Sequence, residues 1–495
     1  MVFSSVTFLF LYLPVVLAGY FLLMQRGVGR HGWANAFLWL VSLLFYAWGE
    51  PLLVWVILLS TAIDYMAVLG LESEFRRHNP ERDPTLPRTR RQRAMLITSL
   101  VANLGLLAFF KYLHFAAGVW NGCAEALGLA GAQFELAWKI GLPVGISFYT
   151  FQSMSYTIDV FRGHARGTRN LIDFGAYVTM FPQLVAGPIV RYVDVAAELR
   201  KRAPGWADVQ AGAQRFIIGL AKKVLIADTV AVTADHVFGA APGALDTGTA
   251  WLGLLCYTVQ ILFDFSGYSD MAIGLGRIMG FTFPENFLHP YRARSITEFW
   301  RRWHVSLSTW FRDYLYIPLG GNRGGPLRTA CNLYLVFILC GLWHGANYTF
   351  LLWGLLHGTL LTFERFFRRG ARTDTAFGLP VWLARPYTLL AVLAGWTLFR
   401  CESLSQTGDF FRLLLGGGPG EALLFPPPIT LSGLIALAVG LAIAVPDWSR
   451  HRPLHPPPRP AAWLLLQRAG LLLLLAVSLL RVLAGAYSPF IYFRF

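Results

Sequence analysis

Two histidines lie where an ionisable side chain is costly unless it is used. His344 is near the centre of the apolar run Leu333 to Gly358, LYLVFILCGLWHGANYTFLLWGLLHG. At such depth an imidazole marks a functional position by default. His304 lies upstream in SITEFWRRWHVSLSTWFRDYLYIPLGGNRGG, Ser295 to Gly325. An imidazole that titrates near neutrality suits general-base work, such as taking the proton of an attacking hydroxyl. His344 is therefore the candidate base and His304 a second catalytic candidate. His357 shares the apolar run and reads as structural. Cys340 stands four residues before His344, on the same helix face, where free cysteine serves as a small apolar filler. The chain has no GxSxG elbow, which fits direct transfer without a serine acyl-enzyme.

Arginine pairs with phosphate in bidentate fashion, as a phosphate-bearing group donor would require. Arg301, Arg302, Arg323 and Arg328 are candidate donor contacts, although a cytoplasmic bias of basic residues accounts for each equally well. The GGNRGG segment from Gly320 to Gly325 lacks the Lys and Ser/Thr of a P-loop and reads as a glycine-rich turn. Trp303, Trp343 and Asn347 flank the histidines, and Asp264 lies with Asp270 in FDFSGYSD. Trp303, Trp343, Asn347 and Asp264 are candidates for lining a donor path. The two aspartates equally suit holding helices together by hydrogen bonds.

The elements that must position these residues are membrane helices. Of 495 residues, 55% are hydrophobic and 14% charged, against about a quarter charged in soluble domains. Repeated apolar runs of spanning length imply one all-α polytopic bundle of roughly a dozen crossings. The net charge of +15 resides in short Arg-rich loops between those runs, the pattern of the positive-inside rule, and does not call for a nucleic-acid partner. Five cysteines without CxxC or Cys/His ligand spacing indicate neither a disulfide framework nor a metal site, and no bound cofactor is expected. The first run, MVFSSVTFLFLYLPVVLAGYFLL, lacks a basic start and a small-residue cleavage site and reads as a retained span.

Basic residues orient the chain. Arg26, Arg30 and His31 place the first loop in the cytoplasm, as do Arg76, Arg77, Arg82, Arg88, Arg90, Arg91 and Arg93 further on. The run Phe174 to Val190 is interrupted by Pro182 and Gly187-Pro188 and is basic on both sides, so FPQLVAGP is expected to be re-entrant and to line a cavity. Val209 to Val237 is ambiguous, because Lys222 and Lys223 fall in mid-run. Ser295 to Tyr316 has apolar residues at close to helical period, with Glu298 and Arg302 at ion-pair spacing. It reads as an amphipathic helix at the cytoplasmic interface, with His304 at the edge of its apolar face. Leu333 to Phe363 is followed by Arg365, Arg368, Arg369 and Arg372. That makes it a hairpin or re-entrant pair with His344, Gly345 and Asn347 at the turn. Each half spans about 25 Å, which puts His344 far from the cytoplasmic loops. Val381 to Phe399, Leu431 to Val445 and Trp463 to Leu483 are further spans. The Asp447 to Pro460 loop is then inside and the C-terminal SPFIYFRF outside. There is no internal repeat.

The two histidine segments, together with LPVGISFYTFQSMSYTIDV (Leu142 to Val160), FPQLVAGPIVR (Phe181 to Arg191) and FDFSGYSDMAIGLG (Phe263 to Gly276), resemble the membrane-bound O-acyltransferase (MBOAT) family. Within it they resemble the bacterial branch that O-acetylates exopolysaccharides such as alginate and cellulose. The similarity runs from the N-terminus to about Leu360, with a family-type core at about 95–363 and C-terminal spans at 381–484, and it covers the chain as one transmembrane domain. It implies a central tunnel, with the histidine matching His344 essential and the one matching His304 a second functional position. It also implies an inner-membrane enzyme passing acetyl from a cytoplasmic donor to a periplasmic or membrane-anchored SGNH-type partner of the polysaccharide machinery. D-alanyl or lipid acyl transfer within the family, and a transporter using its histidines as a proton relay, are the alternatives.

Overall fold

A computed structural model describes residues 2–25, 31–136, 141–240, 244–367, 375–417, 430–446, 461–485 and 490–491. Arg26, Arg30, Arg368, Arg369, Arg372 and the loop 447–460 lie outside the described residues, as does all of SPFIYFRF except Phe490 and Ile491. Among the described residues every regular element is helical. Six helices among the described residues are long and apolar enough to cross a bilayer: Val54–His78, Arg90–Ala126, Thr247–Ile278, Gly325–His344, Val381–Arg400 and Ala462–Leu483. Phe8–Met24 and Leu431–Ala444 are shorter apolar helices. The chain is a multi-pass membrane protein.

The chain divides into two compact units. The first comprises Phe10–Val209 and Leu275–Pro284. Its Arg90–Leu107 helix begins at a reciprocal cap, in which Gln92 N donates to Thr89 Oγ1 at 3.1 Å and Thr89 N to Gln92 Oε1 at 2.9 Å. Such a cap satisfies two backbone donors that the first turn leaves without helical partners. The interrupted run lies here too. It forms the helix Leu171–Thr179 and the single turn Phe181–Leu184, then continues without helix to Val190. Nine helical residues reach only about 14 Å, too short to cross, and every residue from Phe174 to Val190 is buried. Its non-helical backbone is satisfied by protein: Phe181 N donates to Ser42 Oγ at 3.0 Å and Tyr177 OH to Val190 O at 3.0 Å. Broken backbone at membrane depth survives on such terms.

The second unit comprises Val2–Leu9, Gln210–Gly274 and Glu285–Phe495. The two lysines that made Val209 to Val237 ambiguous occupy a π-helical insertion, Lys222–Ala227, between the helices Trp206–Ala221 and Asp228–Gly239. Both are paired. Lys222 Nζ lies 2.6 Å from Asp270, and Lys223 Nζ lies 2.7 Å from Asp228 and 3.0 Å from Asp264. Lys223, Asp228 and Asp264 are all buried.

The segment expected as one amphipathic helix over 295–316 is broken. It forms Ile296–Trp300, a turn, Val305–Phe311 and the π-helical Arg312–Tyr316. The break falls at His304, whose φ of 43° and ψ of 54° are left-handed. A non-glycine residue there cannot continue a right-handed helix, so apolar periodicity runs straight through a chain reversal. The Glu298 to Arg302 ion pair does form, at 2.7 Å.

Gly325–His344 and Tyr348–Phe367 form the expected hairpin, with residues 345–347 as the turn. Two glycines let the helices touch backbone to backbone. A Cβ on Gly341 would lie 2.2 Å from Phe350 O, and one on Gly354 would lie 2.3 Å from Phe337 O. Close approach of this kind replaces the hydrophobic driving force that lipid surroundings do not supply.

Candidate functional site

His344 is the last residue of the Gly325–His344 helix and is buried. Three aromatic rings enclose its imidazole at steep angles: Trp343 at 4.9 Å, Trp353 at 5.1 Å and Phe399 at 5.1 Å between centroids. Aromatic pairs in this geometry contribute about 0.5–1.5 kcal/mol each beyond their burial. Trp353 comes from the second helix of the hairpin and Phe399 from Val381–Arg400, so three helices converge on one ring.

His304 is fully buried and begins the helix Val305–Phe311. Its Nδ1 lies 3.1 Å from Asn286 Oδ1, and its ring packs on Phe265 at 4.7 Å. Trp343 is 6.0 Å from the His304 ring. The same indole thus neighbours both histidines, which are 40 residues apart in sequence.

His357 is buried against two indoles. Trp300 Nε1 donates to its Nδ1 at 3.2 Å, and Trp353 packs on it at 4.8 Å.

A cavity of about 420 Å³ approaches this cluster. Arg301, Arg312, Tyr316, Thr297, Ser308 and Thr309 supply its polar groups, and Trp300, Val336, Phe337 and Leu361 are part of its apolar wall. Cys340, one helical turn before His344, and Val305, adjacent to His304, also line it. Neither imidazole is itself part of the cavity lining.

The other predicted positions divide. Arg301 lines the cavity, whereas Arg302 is held by Glu298 and donates from Nη1 to Leu288 O at 3.0 Å. Arg328 donates to Leu319 O across the glycine turn, in which Gly320, Gly321 and Gly325 adopt positive φ. Trp303 is core, packed on Trp396 at 4.8 Å and on Phe299 at 5.7 Å. Asn347 holds the hairpin turn: its side chain accepts from Thr349 N at 3.2 Å and donates to Glu402 O at 2.8 Å. Asp264 pairs with Lys223 and accepts from Ile491 N at 2.8 Å. Asp264 and Asn347 thus each tie separate segments of the chain together.

Sequence reasoning missed Asn286, Trp300, Trp353 and Phe399. Trp353 lies on the same apolar run as His344, nine residues on, and was legible as a neighbour. Asn286 sits in FPENFLHP with no periodicity to mark it.

Residues 90–387 match the model of the membrane-bound O-acyltransferase family. Over 512 residues, covering 100% of both chains, the protein is 41% identical to the probable alginate O-acetylase AlgI of Pseudomonas putida. The chain belongs to the membrane-bound O-acyltransferase family. Other MBOAT relatives carry different names. A peptidoglycan O-acetyltransferase of Helicobacter pylori is 34% identical over 84% of this chain and 80% of its own. A teichoic acid D-alanyltransferase of Bacillus subtilis is 29% identical over 46% of this chain and 60% of its own. Both histidines and the cavity fall inside the MBOAT-matched residues, and the chain is an O-acyltransferase.

Proposed function

We propose that this enzyme moves acetyl groups from a cytoplasmic thioester, acetyl-CoA, across the bacterial inner membrane for O-acetylation of a secreted polysaccharide of the alginate or cellulose type. The immediate acceptor is a hydroxyl on an SGNH-type partner or on the polymer itself, within the polysaccharide-synthesis machinery. The relatives named for acetyl transfer to alginate and peptidoglycan support the substrate class.

One observation carries the chemistry: two buried imidazoles share Trp343, and a cavity lined by Arg301 and Arg312 reaches Val305, next to His304, and Cys340, one helical turn before His344. The arginines suit the donor's phosphates, and the apolar wall suits its uncharged arm. His344 takes the proton of the acceptor hydroxyl as its oxygen attacks the thioester carbonyl carbon. The C–S bond then breaks, the acetyl ester remains on the acceptor, and the thiol leaves with the proton from His344. His304 holds the reacting hydroxyl in place. Exclusion of water by the aromatic enclosure strengthens each of these polar contacts and protects the thioester from hydrolysis.

The test uses the whole enzyme in proteoliposomes of known orientation, with labelled acetyl-CoA on one side and an acceptor on the other. Label should reach the far acceptor only when the donor is on the side of Arg301. Transfer confined to one compartment, or equal from either side, would contradict a relay across the membrane.

A further inference from the structure

We propose that Asn286 is a positioning residue that fixes the tautomer of His304, making Nε2 a proton acceptor in the resting enzyme; the inference rests on His304 and His344 being the acyl-transfer pair. Asn286 is fully buried in the extended segment after Thr247–Ile278. That segment is clipped to the His304 turn by two backbone bonds. Val305 N donates to Asn286 O at 3.0 Å, and Leu288 N donates to Arg302 O at 2.9 Å.

The Asn286 side chain then reads out the register. Its Oδ1 accepts from Ser306 N at 3.3 Å and from Ser306 Oγ at 2.9 Å, while its Nδ2 donates to Ser269 Oγ at 3.1 Å. Which end of an amide is oxygen is settled by its partners, and here one partner leaves no choice. A backbone N–H can only donate, so the amide atom facing Ser306 N is the oxygen. His304 Nδ1, 3.1 Å from that same oxygen, must therefore carry hydrogen. In the neutral ring the lone pair is then on Nε2.

Two consequences follow. A neutral His304 can accept a hydrogen bond from the acceptor hydroxyl at Nε2, and it cannot donate one to the thioester carbonyl. Asn286, being uncharged, orients the ring without favouring the imidazolium as a carboxylate would. It also helps to hold the left-handed backbone at His304, which costs roughly 1–2 kcal/mol. Ser269 gives FDFSGYSD a part in the site: it anchors the far end of the amide.

The full-length enzyme is compared with Asn286→Asp, which is close to isosteric, and with Asn286→Leu. The Asp variant keeps an acceptor at Nδ1–H but adds charge, so the acidic limb of kcat/KM against pH should move up by about one unit or more. The Leu variant should lose about 10–100-fold in kcat, the usual cost of losing such a support, with KM for acetyl-CoA nearly unchanged. Nitrogen NMR on histidine-labelled protein should show His304 protonated at Nδ1 in the parent and shifted towards Nε2–H in the Leu variant. An unmoved acidic limb, together with losses that only track the amount of folded protein, would overturn the inference. So would an Nε2–H signature for His304 in the parent. His344→Ala is the control: full activity there defeats the acyl-transfer reading itself, whereas an inactive His344→Ala beside unaffected Asn286 variants defeats only the role given to Asn286.

Discussion

The indole of Trp300 donates its Nε1–H to Nδ1 of His357 at 3.2 Å, and both residues are buried. Trp300 is also a wall of the cavity, so this bond sets the shape of the approach without placing His357 on the reactants. His357→Leu should leave the indole N–H unsatisfied and lower stability by about 1–3 kcal/mol. Thermal unfolding in detergent should fall, while acetyl transfer per folded molecule stays within about threefold of the parent, a contrast with loss of a catalytic base.

Adjacent arginines should separate cleanly. Arg301 lines the cavity, but Arg302 is spent on Glu298 and on the Leu288 carbonyl. Arg301→Ala should raise KM for acetyl-CoA about tenfold, the loss of one charge-assisted contact of about 1.5 kcal/mol. Arg302→Ala should leave KM within about twofold, since partly exposed ion pairs contribute about 0–1 kcal/mol. Steady-state kinetics with varied acetyl-CoA decides between them.

Lys223 is the cation of a buried set with Asp228 and Asp264. Lys223→Met should destabilise by about 3–5 kcal/mol, because it strands buried carboxylates. Adding Asp228→Asn and Asp264→Asn to it should recover much of that loss. Folded yield and melting temperature of the single and triple variants measure the effect.

Gly341 meets Phe350 O where no side-chain carbon fits. Gly341→Ala should cost about 1–3 kcal/mol as an overpacked contact. Because His344 sits one turn beyond, activity should fall further than the folded fraction does, measured as acetyl transfer per mole of monodisperse protein.

The membrane class, the hairpin and its turn at His344 were legible because they depend on apolar run length and on a polar residue breaking such a run. Both leave direct marks in composition. The break at His304 was not legible, since Trp300, Trp303 and Leu307 keep helical spacing across a turn that one left-handed residue creates. Asp264 and Lys223 illustrate a second limit. Asp264 read as a donor-path candidate and Lys223 only as an obstacle to a span, and only the fold reveals that the two pair. Asn286 was invisible for the opposite reason: an isolated amide in a loop has no period, and its meaning comes wholly from Ser269, His304 and Ser306 around it.

The most direct measurement is the rate of labelled acetyl transfer by His344→Ala, normalised to folded enzyme and set beside His357→Leu in the same membranes. Loss of a general base should lower the His344→Ala rate by about 10²–10⁴-fold while His357→Leu stays near the parent. A His344→Ala enzyme that transfers acetyl at the parental rate would contradict the account.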